Sequence, residues 1–122
     1  MALGTATLTV TINSVAKVLT RIRDDGYTSE YLLRGTLDEF RLQIRHTSYV
    51  SKDTAKTIDR HSVELVHTVY PVSPSTVPTI RKAYAVFENE HIDTLVDPLN
   101  FDNGFLAFLS SANVTDLINW IS

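Results

Sequence analysis

Cysteine is absent from this 122-residue chain, which excludes disulfide frameworks, thiolate metal sites and thiol catalysis. The absence fits a reducing compartment without proving one. Bases are absent beyond Lys82: eleven Lys and Arg residues stand against eight acids up to that point, whereas residues 83–122 hold only the acids Glu88, Glu90, Asp93, Asp97, Asp102 and Asp116. No apolar run approaches the ~20 residues of a membrane span. The start, Met1-Ala2-Leu3-Gly4, lacks the basic and apolar regions of a signal peptide, so none is expected, and Ala2 makes removal of Met1 plausible. With four glycines the chain has no glycine-rich phosphate loop. It also lacks a nucleophile elbow and paired metal-binding histidines on a helix. Nothing therefore points to an enzyme. The length fits one domain, residues 1–122.

Period-two alternation dominates the first 90 residues. Thr5 to Ile12 alternates threonine with Ala6, Leu8, Val10 and Ile12, as a strand with two unlike faces does. Asn13-Ser14 reads as a turn and Val15 to Ile22 as the returning strand, giving a hairpin at about 5–23. Asp24-Asp25-Gly26 is turn chemistry. Tyr27 to Leu33, Phe40 to Tyr49, Thr57 to Tyr70 and Arg81 to Glu90 read as further strands, a sheet at about 27–90. Ser51 to Lys56 is turn-like, and Pro71, Pro74 and Pro78 mark a loop that cannot be a central strand. The period then changes. Asp97-Pro98 reads as a helix cap with proline just inside, Phe101, Phe105 and Phe108 follow at near-helical spacing, and Asn113 with Asp116 resembles a second capping box. Two helices are expected at about 97–121. The class is α+β with an antiparallel sheet, one face covered by helices and the other open to solvent or a ligand.

Alternation also selects the open face. Phe40, Leu42 and Ile44 oppose Arg41, Gln43, Arg45 and Thr47. Val63, Leu65 and Val69 oppose Arg60, Ser62, Glu64 and Thr68, and Ala83, Ala85 and Phe87 oppose Lys82, Tyr84, Val86 and Glu88. If the strands are neighbours, their polar sets form one surface with cations, hydrogen-bonding groups and one aromatic ring. Such a mixture suits single-stranded nucleic acid. Cations neutralise phosphates, a ring stacks on a base, and Gln or Ser can reach base edges. A merely solvated sheet face would carry the same Arg, Thr and Glu residues. His46, His61 and His67 fall on the apolar side, where hydrogen-bonded, partly buried histidines are a simpler reading than zinc ligands. Turn and capping roles account for Asp24, Asp25 and the helix-region carboxylates, and no EF-hand loop is present.

The succession of elements resembles the coat proteins of single-stranded RNA bacteriophages, levivirus-like, and most of all those of Caulobacter-infecting RNA phages. The resemblance is carried by Ala2-Leu3-Gly4, Lys17-Val18-Leu19, Asp25 to Tyr31, Arg45-His46-Thr47, Arg60-His61, Val63-Glu64, Thr68-Val69-Tyr70 and Ala83-Tyr84-Ala85-Val86, and it thins after Glu90. It implies an N-terminal hairpin, a five-stranded antiparallel sheet and two C-terminal helices. It further implies an intertwined homodimer whose helices lie over the partner's sheet, in a continuous ten-stranded sheet. The dimer is then the unit of an icosahedral, T=3-like shell, a virion capsid assembled in the bacterial host cytoplasm without a membrane. Genomic RNA would meet the interior sheet face at Arg41, Gln43, Arg45, Thr47, Arg60, Ser62, Glu64, Lys82, Tyr84 and Val86, with Tyr84 in the place of a base-stacking tyrosine. Capture of an operator hairpin would repress replicase translation. Gln43, Arg45, Arg60 and Val86 depart from the small polar residues that form adenine pockets in better-studied relatives. No cofactor is implied, and calcium at subunit interfaces stays open. Without the resemblance, the alternative is a small ligand-binding or enzymatic α+β domain with a pocket between sheet and helices.

Overall fold

A computed structural model describes residues 3–122. The expected loss of Met1 and the match at Ala2 lie outside the described residues. Six strands run in chain order through one antiparallel sheet: β1 (Thr7–Ile12), β2 (Val15–Asp24), β3 (Thr28–Arg34), β4 (Asp38–Val50), β5 (Thr57–Val69) and β6 (Thr79–Glu90). Two helices follow, α1 (Val96–Phe108) and α2 (Ser111–Ile118). Every strand connection is thus a local reversal, and each has its own chemistry. Asn13 and Ser14 both take positive φ, 51° and 65°, the geometry whose twist suits a two-residue hairpin. At the next reversal the Asp24 carboxylate accepts the Gly26 N–H at 2.9 Å, and that of Asp25 accepts the Thr28 N–H at 2.7 Å. Gly26 supplies the positive φ of 93° required there.

The hairpin is not separate from the sheet. β2 pairs with β3, with a bulge between Arg21 and Arg23. The implied five-stranded sheet beside a hairpin is therefore corrected to one sheet of six strands, four of them beyond the hairpin. Pro71, Pro74 and Pro78 each lack the N–H a ladder needs, and residues 70–78 form the expected loop between β5 and β6.

The core sits between the curled hairpin and the apolar side of β3 and β4. Leu8, Leu19, Tyr31, Phe40, Leu42 and Ile44 are buried, and Val10, Leu33, Val63 and Leu65 pack around them. Leu19 and Tyr31 are fully buried, and the Tyr31 hydroxyl donates to the Thr5 carbonyl at 2.9 Å. Lys17 lays its ammonium over the Phe40 ring, 5.4 Å from the centroid. Within one chain the apolar face is thus covered by the hairpin, whereas the alternation alone had assigned that task to the helices. Neither helix buries a residue. Both helices also start earlier than the cap signals indicate. α1 opens at Val96, and the Thr94 hydroxyl accepts the Asp97 N–H at 3.2 Å and donates to its carboxylate at 2.9 Å. Asp97 therefore lies in the first turn, where a negative charge suits the helix dipole. α2 is capped by Ser110, whose hydroxyl accepts the Asn113 N–H, so Asn113 lies inside the helix. Serine at that position adopts the extended backbone a cap needs.

Candidate nucleic-acid interface

Register decides what alternation could only suggest. In an antiparallel ladder, residues directly opposite share a face with Cβ atoms ~5 Å apart. Across β4, β5 and β6 the polar face consists of four rows: Arg41–Val66–Lys82, Gln43–Glu64–Tyr84, Arg45–Ser62–Val86 and Thr47–Arg60–Glu88. All ten candidate residues fall in these rows. Seven of them, Gln43, Arg45, Arg60, Ser62, Glu64, Tyr84 and Val86, line one shallow hollow of about 200 Å³. Arg41, Lys82 and Thr47 lie outside it, at the two ends of the face. Tyr84 is 70% exposed, its ring uncovered by the protein's own side chains.

The arginines of the end rows are paired within the protein. Arg41 bonds the Glu30 carboxylate, and Glu39 lies 3.6 Å from the same guanidinium. The Glu30 hydrogen bond raises the Arg41 pKa above its ordinary value, with the Glu30 and Glu39 charges adding. Arg60 pairs with Glu88 at 3.5 Å, and the Tyr49 hydroxyl donates to Glu88 at 3.3 Å. The middle rows differ. Among the described residues, the side chains of Gln43, Arg45, Ser62, Glu64 and Tyr84 have no hydrogen-bond or ion-pair partner, and neither has Lys82. Arg41 and Arg60 are thus held at the two ends of the face, whereas the polar side chains of the middle rows, and Lys82, have no protein partner among the described residues.

Net charge does not distinguish this face. On β3 to β6 the bases Arg34, Arg41, Arg45, Arg60 and Lys82 stand against Glu30, Glu39, Glu64, Glu88 and Glu90. The excess of bases before Lys82 is thus spread over the molecule, with Lys17, Arg21, Lys52 and Arg81 elsewhere. The roles of Glu30 and Glu39 as partners of Arg41 were missed from sequence. Glu39 stands two residues before Arg41 on the same face of β4, a spacing readable from sequence, whereas only the pairing of β3 with β4 brings Glu30 to this arginine.

The opposite side holds the histidines. His67 stacks on Phe40, ring centroids 4.1 Å apart and planes 3° from parallel. Its Nδ1 lies 3.2 Å from the Arg81 guanidinium, which can only donate, so Nε2 carries the proton and donates to Asp38 at 2.8 Å. The Nδ1 atoms of His46 and His61 are 2.9 Å apart, one donating to the other. Near them, His91 Nδ1 is 2.9 Å from Asp59. Among the described residues no group of three or more His, Asp or Glu side chains is arranged to hold a metal ion. Asp24 and Asp25 are occupied by their own turn.

Residues 5–90 match the family described as phage phiCb5, coat protein, a Caulobacter single-stranded RNA phage, and the chain belongs to that family. The comparison with curated proteins gave no match. Membership makes this a structural, non-enzymatic protein of a phage capsid, one that assembles with copies of itself. No helix among the described residues is long and apolar enough to cross a membrane.

Proposed function

We propose that this coat protein forms a homodimer by laying its helices over the partner's sheet, that dimers close into an icosahedral, T=3-like shell, and that the polar sheet face holds single-stranded genomic RNA inside it. The observation that carries the reading is the surface left open by one chain. Its accessible surface is 9336 Å², whereas a folded 13.7 kDa monomer exposes roughly 6,600 Å². The excess, about 2,700 Å² per chain or roughly 5,400 Å² for two, lies at the upper end of what obligate dimers cover.

Apolar side chains are exposed or only partly buried on both surfaces that such a dimer would bring together. Phe101, Phe105, Phe108, Leu99, Leu117 and Ile118 are all exposed on the helices. On the receiving side, Leu65 and Val63 are only partly buried, and beyond them Ala83, Ala85 and Phe87 lie on the same side of β6. β6 is also an unpaired edge of the sheet, and pairing with its copy in the partner would satisfy its free backbone groups.

RNA binding is supported by the free centre of the polar face. Stacking on Tyr84 is sequence-tolerant, and Arg45 and Lys82, unlike Arg41 and Arg60, have no protein carboxylate to leave before they meet a phosphate. Because the face has no net charge, steering is expected to be weak and contacts to bases to matter more. Within this reading, one interior hairpin of the genome can occupy the two hollows of a dimer and silence the replicase gene, in the host cytoplasm where the shell forms.

Size-exclusion chromatography and negative-stain microscopy of the expressed protein test the reading. Large, uniform particles whose ultraviolet absorbance shows nucleic acid are expected. A stable monomer free of nucleic acid would overturn it.

A further inference from the structure

Resting on the reading of the polar face as an RNA surface, we propose that the hollow selects guanine, with Glu64 as the specificity-determining residue. A carboxylate is an unexpected group on a surface for a polyanion, and its surroundings make it more so. Glu64 lies at the centre of its row, directly between Gln43 and Tyr84. It is half-buried, and among the described residues no donor or cation satisfies it. Other carboxylates of this face have partners: Glu30 and Glu39 hold Arg41, Glu88 holds Arg60, and Glu90 pairs with Lys56 at 3.3 Å.

The chemistry of base edges then discriminates. An ionised carboxylate only accepts hydrogen bonds, through two oxygens side by side. Guanine is the one common RNA base whose Watson–Crick edge offers two adjacent donors, the N1–H and the N2 amine. Adenine and cytosine each offer one amine next to a ring-nitrogen lone pair, which a carboxylate repels, and uracil offers one N–H between two carbonyl oxygens. The remaining group on the guanine edge, O6, is an acceptor. Gln43, the cross-strand neighbour of Glu64, carries an amide that can donate to it. Tyr84 on the other side supplies a ring for the base plane, and Arg45, diagonal to Glu64 on the same face, can take a flanking phosphate. The pattern of acceptor, acceptor and donor along Glu64 and Gln43 complements guanine and none of the other three bases. Edges of this kind are accessible in loops and single strands.

The test is direct binding of unassembled full-length protein to a short uridine-rich RNA with one central guanosine. The same strand with adenosine, cytidine or inosine at that place is measured alongside, at one fixed salt concentration. Guanosine is expected to bind about tenfold or more tightly than adenosine or cytidine, the scale of a bidentate contact. Inosine, which lacks the N2 amine, should lose severalfold. Glu64→Gln removes negative charge from an RNA-binding face, so electrostatics alone makes every strand bind more tightly. The guanine proposal instead requires the guanosine strand to bind more weakly while the others hold or tighten. Equal affinity for the four bases in the wild type, or tightening of all strands in E64Q, overturns guanine selection and leaves RNA binding standing. No binding of any strand at low salt overturns the RNA reading itself. The inosine comparison uses only wild-type protein, so it decides even if E64Q folds poorly.

Discussion

Residues up to Glu90 and residues after it use apolar side chains in opposite ways. In the first region the hairpin and sheet bury Leu8, Leu19, Tyr31, Phe40, Leu42 and Ile44 against one another. In the second, thirteen residues of α1 and eight of α2 expose phenylalanine, leucine and isoleucine, and none is buried. One region is held together by contacts within the chain. The other has the composition of a core without its contacts, which a second chain would supply. The family match runs from residue 5 to residue 90 and so ends with the sheet. Helices that contribute mainly apolar area tolerate exchange of one hydrophobic residue for another of similar volume, whereas strands with two unlike faces and a fixed register tolerate less.

Four experiments break or sharpen this contrast. The largest effect is expected from charging the helices. Phe105→Asp together with Phe108→Asp places carboxylates in the surface that would meet the partner, at several kcal/mol each if buried. Sedimentation should show association weakened at least ~100-fold and no particles. Normal particles from this variant would mean that the helices face solvent. Next is the sheet core. Leu19→Ala should lower unfolding stability by about 2–5 kcal/mol, whereas Val18→Ala, at a site 47% exposed, should stay within about 0.5 kcal/mol. Similar losses in denaturant titrations of the two variants would argue against the hairpin as the cover of this core. Third, Tyr84→Ala should weaken RNA binding by ~1–3 kcal/mol at fixed salt and leave particle formation unchanged. Equal RNA affinity of wild type and variant would remove Tyr84 from the interface.

The smallest effect concerns the turn after β2. Backbone N–H bonds from Thr28 and Tyr27 hold the Asp25 carboxyl below its ordinary value of 3.8. A carboxyl whose folded pKa is depressed stabilises the fold above its unfolded pKa, and that contribution is lost as pH falls through the lower folded value. Asp25→Asn should therefore be slightly less stable than wild type above about pH 4, and the two unfolding curves should converge below it. A difference that does not change with pH would assign the effect to turn shape rather than to charge.

Much of the fold is readable along the chain. Most strands of the first 90 residues were marked by alternation, because each has one apolar side, and the reversals by Asn, Asp, Gly, Pro or a polar run. The helix starts were harder. Asp97 and Asn113 look like caps, but Thr94 and Ser110 occupy the positions from which a hydroxyl reaches the first free N–H groups. Several short polar residues in succession leave that choice to a few tenths of a kcal/mol. The loop at Pro71, Pro74 and Pro78 was legible because proline has no N–H for a ladder; the number of strands beyond the hairpin, five by resemblance, is four.

The sequence by itself determined which side chains share a face. It placed Arg41, Gln43, Arg45 and Thr47 on one side of their strand, Arg60, Ser62 and Glu64 on one side of the next, and Lys82, Tyr84 and Val86 on one side of the last, because a period of two is a local property of the backbone. It also confined the bases to residues before Ala83. Only the tertiary structure decided which residues on that face are neighbours. Strand pairing joins residues far apart in the chain, and its register depends on every contact of the sheet at once. That register binds Arg41 to Glu30 and Arg60 to Glu88, and it leaves Glu64 unpaired between Gln43 and Tyr84. A basic surface was the expectation from counting charges. Folding produced a balanced one, with most of its free polar groups in the middle rows and Lys82 at one end.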